Sequence, residues 1–251
     1  MSMTTREIDT PQLCATQLVA RPGTLPSITI PMTPSFVPDV DGIWRYLAEP
    51  AEFFGVRMPP LGDLATAISV FATASADGTR PALVAASVTI TEADDAPRIL
   101  VTGTAVQPST SEAVLIGGAL AAPALHRATD PWWRRMAART TSRAEVDQCE
   151  RWLNGLGFAD GLADGLPILG ALVFEAEGDV LGVDNPEPTS VLDQLVQCGA
   201  LAGIDRVAEC RAGAERVWWV SPRYQTHPVA ELDGVQFTVD PPAVPPFARW
   251  S

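Results

Sequence analysis

The sequence predicts an α+β fold with mostly antiparallel sheets, in two lobes. Three observations lead there. Apolar stretches of period two are joined by short Asp/Gly turns, as hairpins require. Ser-x-x-Glu and Ser-x-x-Asp capping boxes open helical stretches between those strands, so helices and strands interleave without a strict strand–helix–strand alternation. The 251 residues are 47% hydrophobic and 19% charged, which suits a packed domain rather than a disordered chain.

The elements follow in order. Residues 1–24 are expected to be a flexible arm ending in Arg21-Pro22-Gly23. Ile28-Thr29-Ile30 lies between prolines and reads as an edge strand. After a Pro-rich loop, residues 43–54 read as a short helix with Ile43, Leu47 and Phe54 on one side, weakened from its middle by Pro50. Residues 67–74 are rich in strand formers, and Ala76-Asp77-Gly78-Thr79 reads as the hairpin turn after them. Val84, Ala86, Val88 and Ile90 alternate along a second strand, residues 98–104 make a third, and the three are expected to form a meander.

Capping boxes at Ser109–Glu112 and Ser142–Glu145 predict helices. The first runs to about Leu120; the second carries Val146, Cys149, Trp152 and Leu153 on one face and ends at Gly155. Strands at 168–175 and 180–183 are joined by Glu177-Gly178-Asp179. A third box, Ser190–Asp193, opens a helix with Leu192, Leu195, Val196 and Gly199 on one side. Residues 217–221 and 235–239 complete the strands. The lobes are drawn at 25–122, β-rich, and 123–251.

Charge and composition narrow the function. The net charge of −13 disfavours nucleic acid and anionic membrane surfaces, whose binding rests on cations. No apolar run is long enough to span a membrane, and the N-terminus has no secretory signal pattern, so a cytoplasmic location is expected. All 17 basic residues are arginine, so no side-chain amine exists to form a Schiff base. The two histidines, His126 and His227, show no metal-ligand spacing, and no metal is expected. There is no G-x-S-x-G elbow. Cys198 or Cys210 paired with His227 remains open as a nucleophile, against the commoner buried structural cysteine.

Three stretches carry candidate chemistry. Trp132-Trp133-Arg134-Arg135 sets aromatics beside guanidiniums, which fork carboxylates and phosphates. Asp184 to Ser190 is a polar lead-in to a helix N-terminus, with Glu187 inside it; the bland reading is a rigid N-cap. Val217-Trp218-Trp219-Val220 puts its two indoles on opposite faces of a strand, one for the core and one for a cleft, with Arg223, Tyr224 and His227 at the rim.

The C-terminal stretch resembles fold-type IV PLP enzymes, the class IV aminotransferases and aminodeoxychorismate lyases. The residues that carry the resemblance are Glu215-Arg216-Val217-Trp218-Trp219-Val220-Ser221, then His227-Pro228-Val229, then Leu232-Asp233-Gly234. Ala171-Leu172-Val173-Phe174-Glu175 with Gly178-Asp179-Val180-Leu181 is similar to that family's preceding hairpin. The resemblance implies a Schiff-base lysine near Arg134 or Arg135, where this chain has none. It therefore implies a degenerate relative that cannot form the internal aldimine.

The expected function is a PLP-independent small-molecule enzyme, with no cofactor and a pocket for a small anionic organic substrate. Arg134, Arg135, Arg223, Trp219 and Asp184 are the binding candidates; His227, Tyr224 and Glu187 are the catalytic ones. A homodimer is expected. The rival is a non-catalytic regulatory or partner-binding protein on the same scaffold.

Overall fold

The computed structural model describes residues 24–33, 38–75, 83–106, 114–117, 136–137, 139–142, 155, 160–163, 166–167, 170–184, 191–201, 204–208, 210, 213–232, 234–237 and 239. The fold is α+β. The chain divides into two compact units, one of residues 1–105 and 130–144, the other of 106–129 and 145–251. The division falls after residues 105, 129 and 144, where the sequence reading drew one line after 122. Residues 1–23 of the arm expected over 1–24, and the helix expected over 143–154, lie outside the described residues.

The first unit holds a three-stranded antiparallel sheet. Strand β1 (Ser27–Met32) pairs with β2 (Val84–Ala93), which pairs with β3 (Ala96–Ala105). The β2–β3 turn has positive φ at both Asp94 and Asp95, as a tight hairpin needs. Arg57 holds that tip, through its backbone N–H to Glu92 Oε1 at 2.9 Å and its guanidinium to the Asp95 carbonyl.

Helices α1 (Val40–Phe54) and α2 (Leu61–Ser75) supply the other half of this core. Asp39 caps α1 by accepting from the Gly42 N–H at 3.0 Å, and Gly55 closes it in the left-handed region. Ile43, Leu47 and Ala51 of α1 pack with Ile28, Ile30, Val88 and Ile90. The strand expected at 67–74 is helical. Leu64, Ile68 and Phe71 recur at helical spacing and are buried, while Val70, which would share a strand face with Ile68, is 50% exposed. Gly103 on β3 leaves room for the Phe71 ring, which a side chain there would overlap.

Pro50 does not end α1, which runs on to Phe54. A proline inside a helix lacks the N–H that would reach the carbonyl four residues back, here that of Tyr46. The Arg139 guanidinium donates to this carbonyl instead. Arg139 also pairs with Glu49 and lies 3.8 Å from the Tyr46 ring centroid. The chain around Arg139 is itself tied down: Ser27 N–H donates to the Arg139 carbonyl at 3.0 Å, and Thr141 N–H to the Leu25 carbonyl at 2.8 Å.

The second unit is built on a larger mixed sheet. Its strands are β4 (Val114–Gly117), β5 (Asp160–Ala163), β6 (Leu166–Pro167), β7 (Ala171–Ala176), β8 (Asp179–Val183), β9 (Asp205–Arg206), β10 (Arg216–Val220), β11 (Thr226–Leu232) and β12 (Val235–Gln236). The order is β6-β5-β4-β11-β10-β7-β8-β9, with β12 beside β11. Pairs β7–β8, β7–β10, β10–β11, β11–β12 and β5–β6 are antiparallel; β4 runs parallel to β5 and β11, and β8 to β9. The helix expected over 109–120 is not formed at Val114–Gly117, where an apolar run pairs with β11 as a strand. Strand β11 was not expected at all. Pro228 sits within it, just before its pairing with β4 begins at Val229.

Both faces of the sheet are buried around β7, β8, β10 and β11. Leu172, Phe174, Val183, Val217, Trp219 and Val229 form the core on one side. On the other, Ala171, Val173, Trp218 and Val220 are buried. Helix α3 (Val191–Gln197) packs there, with Leu192 so close over Gly182 that an added methyl would meet its Cδ1 at 2.7 Å. No helix among the described residues is long and apolar enough to cross a membrane.

If Arg139 replaces the peptide donor that Pro50 lacks, the two positions must be coupled. Arg139→Ala is expected to cost about 1–3 kcal/mol in urea unfolding. In a Pro50→Ala background, where residue 50 regains its N–H, the cost should shrink by about 1 kcal/mol. Equal losses in the two backgrounds would show that the donor exchange is not what Arg139 contributes.

Candidate functional site

The candidate site is the turn between β10 and β11 and the helix behind it. The register pairs Val220 with Thr226 and Trp219 with His227. Between them Ser221 acts as a hub. Its N–H donates to the Gln225 carbonyl at 2.8 Å, and its carbonyl accepts from Tyr224 N–H at 2.8 Å. Its hydroxyl oxygen accepts from the N–H groups of Gln225 at 3.1 Å and Arg223 at 3.3 Å.

These bonds hold Tyr224 at φ 63, a left-handed backbone that a bulky side chain rarely takes. Such a residue costs about 1–3 kcal/mol. Burying the ring returns a similar amount, and Tyr224 is only 1% exposed. Its hydroxyl donates to Gln194 Oε1 on α3. Arg223 beside it is exposed. Thr226 is fully buried, and its hydroxyl has no partner among the described residues.

The other candidates fall as follows. His227 is half-buried and hydrogen-bonded or otherwise engaged, directly across from Trp219. Both Trp218 and Trp219 are 4% exposed, so neither is left to line an open cleft. The Trp219 indole lies against Gly170, where an added methyl would meet it at 2.5 Å. Asp184 Oδ2 accepts from Leu192 N–H at 2.8 Å, so this carboxylate caps α3. A second anion at that helix end would meet its negative charge. Arg134, Arg135 and Glu187 lie outside the described residues.

Arg223, Tyr224, His227 and Trp219 thus share two neighbouring strand ends, and α3 links Asp184 to them through Gln194. The sequence reading missed Ser221, Gln194 and Thr226. Ser221-Pro222 is a turn signal that could have pointed to the first. Nothing local marks the other two: Gln194 matters through the packing of α3 beside the turn, and Thr226 through its pairing with Val220.

The described thiols are not poised as nucleophiles. Burial pushes both Cys198 and Cys210 up to about 11, and Cys198 Sγ donates to the Leu195 carbonyl at 3.4 Å. Among the described residues no three metal-ligating side chains converge.

No protein-family model matches the chain, and no curated protein does. Solved structures do. A hypothetical aminotransferase from Mycobacterium tuberculosis, in its apo form, is 18% identical with a TM-score of 0.59, over 96% of this chain and 94% of that one. The fold is that of the fold-type IV aminotransferases. A fold IV-transaminase from Curtobacterium pusillum matches at 18% identity and TM-score 0.56, over 92% of this chain and 87% of its own. The branched-chain aminotransferase of the archaeon Thermoproteus uzoniensis, solved with norvaline, matches at 13% and 0.56, over 92% and 86%. At these identities the likeness concerns the fold.

PLP, the cofactor this fold implies, does not fit the donor set of this chain in its imine-bound form. The sequence has no lysine, and arginine cannot lose its proton to act as the amine.

Thiols raised from 9.0 to about 11 make their own pH signature. The fold holds them protonated, so their contribution to stability is intact below about pH 9 and is lost as the pH rises toward 11. The urea midpoint is expected to fall across that window, and to fall less in a Cys198→Ala, Cys210→Ala double variant. A fall of the same size in both proteins would assign the effect to other groups.

Proposed function

We propose that this chain is a PLP-independent small-molecule enzyme on an aminotransferase-IV-like scaffold, acting on a small organic anion. The observation that carries the reading is an aminotransferase fold without lysine, combined with an exposed Arg223 four residues before the engaged His227. Arg223 is the proposed carboxylate anchor in the second unit; Arg134 and Arg135, in the first, are proposed separately as anion-binding residues. His227 is the proposed acid/base, and Glu187 its proposed carboxylate partner. Tyr224 and Trp219 serve in holding the turn and flooring it, since both are buried. A homodimer remains the proposed assembly.

Two neighbours support the substrate class. The M. tuberculosis aminotransferase has a form bound to α-ketoglutarate and PMP, at TM-score 0.54, and the T. uzoniensis enzyme binds norvaline. Both α-ketoglutarate and norvaline carry a carboxylate. One observation favours the second reading, a non-catalytic binding protein: the Tyr224 hydroxyl is already committed to Gln194, and the Asp184 carboxylate to the α3 cap.

The test combines native mass spectrometry, with and without PLP, and calorimetric titration with α-ketoglutarate. The wild type is expected to retain no PLP mass. Arg223→Ala is expected to weaken α-ketoglutarate binding at least tenfold, about 1.4 kcal/mol. A retained PLP mass would refute PLP independence. Unchanged affinity in Arg223→Ala would remove the anchor, and a wild type that binds no carboxylate would favour the non-catalytic reading.

A further inference from the structure

Two unfavourable features sit two residues apart in the turn between β10 and β11. Tyr224 is held in the left-handed region, and Thr226 buries a hydroxyl with no partner among the described residues. A turn selected for stability alone would take glycine or asparagine at the first position and valine at the second.

The register shows what they share. Thr226 lies opposite Val220, which lies opposite Ala171; Val173, two residues on, lies opposite Gly182. These residues therefore occupy one face of the sheet. It is the face on which Leu192 of α3 packs over Gly182. Tyr224 reaches Gln194 of that same helix, so its ring closes this face at the Thr226 end.

The geometry points to a latch: Tyr224, fastened to Gln194, shuts the turn over the Thr226 hydroxyl, and its release opens a polar subsite beside Arg223 on the α3 face of the sheet. Opening relieves both unfavourable features in one motion. Tyr224 leaves the left-handed region, and the Thr226 hydroxyl gains water or a polar ligand group. The flanking strands serve as the fixed frame, because Trp218 and Trp219 remain paired to β7 and β11. Two arrangements whose costs offset in this way lie close in free energy, which is what a switching element needs. The latch goes beyond the function proposed above and does not depend on it.

Amide hydrogen exchange on the ligand-free protein, read residue by residue by NMR, tests it. The amides of Ser221, Tyr224 and Gln225 close the turn. In the wild type they are expected to exchange at least tenfold faster than those of Val217 to Val220. Gln194→Ala should speed the turn amides at least tenfold again while the β7 and β10 amides keep their rates. Tyr224→Phe, which keeps the ring and removes the bond, should act in the same direction and covers the case in which Gln194→Ala does not fold. Thr226→Val should slow them. Turn amides unmoved by both Gln194→Ala and Tyr224→Phe would overturn the latch. So would equal acceleration across β7 and β10, which would make Gln194 a support for the whole unit. A wild type that binds no carboxylate would count against the proposed function alone, since exchange is measured without ligand.

Discussion

A guanidinium standing in for a peptide N–H is the interaction on which the first unit depends. Pro50 leaves the Tyr46 carbonyl without its helical donor, in a stretch where Leu47, Pro50 and Ala51 are buried. A buried carbonyl without a donor is among the costlier defects a fold can carry. Arg139 meets it from a distant part of the sequence, stacked on the Tyr46 ring and paired with Glu49. The stack on the Tyr46 ring restrains the long side chain in the position from which it makes the hydrogen bond. Lysine would serve poorly here, since it has neither the flat face nor the fork.

The second unit has a different kind of hub. Ser221 uses its N–H, carbonyl and hydroxyl oxygen within one five-residue turn. That turn places an exposed cation, a buried phenol and an imidazole within five positions. Helix α3 then sets the electrostatics behind it. Its N-terminal end is occupied by the Asp184 carboxylate, whose negative charge offsets the helix N–H groups there.

Much of the fold was legible because local signals agreed with the tertiary outcome. The alternation of Val84, Ala86, Val88 and Ile90 and the turn at Glu177-Gly178 each mark real elements. Leu192 and Leu195 likewise mark the buried face of α3. The misreadings share a cause, which is that non-local pairing decided them. Residues 67–74 hold both an alternating pair, Ile68 and Val70, and a helical row, Leu64, Ile68 and Phe71; the packing of Phe71 beside Gly103 selects the helix. Strand β4 exists because β11 lies beside it, and β11 is disguised by Pro228 and by an irregular register between Val229 and Glu231. In the candidate site, Arg223 and His227 could be picked out by residue type. Gln194 and Thr226 could not, because their importance lies in what α3 and β10 bring next to them.

The path of the chain has a consequence for how it is made. A ribosome delivers the sheet β1-β2-β3 and helices α1 and α2 by residue 105, yet the Arg139 donor to the Tyr46 carbonyl comes later. The intervening segment carries β4, whose partner β11 is near the end of the sequence. Neither unit can finish folding while its own first part is the newest chain available. A nascent molecule stalled between residues 105 and 139 would hold β1 to β3, α1 and α2 without the contacts that Arg139 makes to Tyr46, Glu49 and Ser27. Vectorial synthesis thus gives this protein a long interval in which chaperones and proteases meet it before its structure closes.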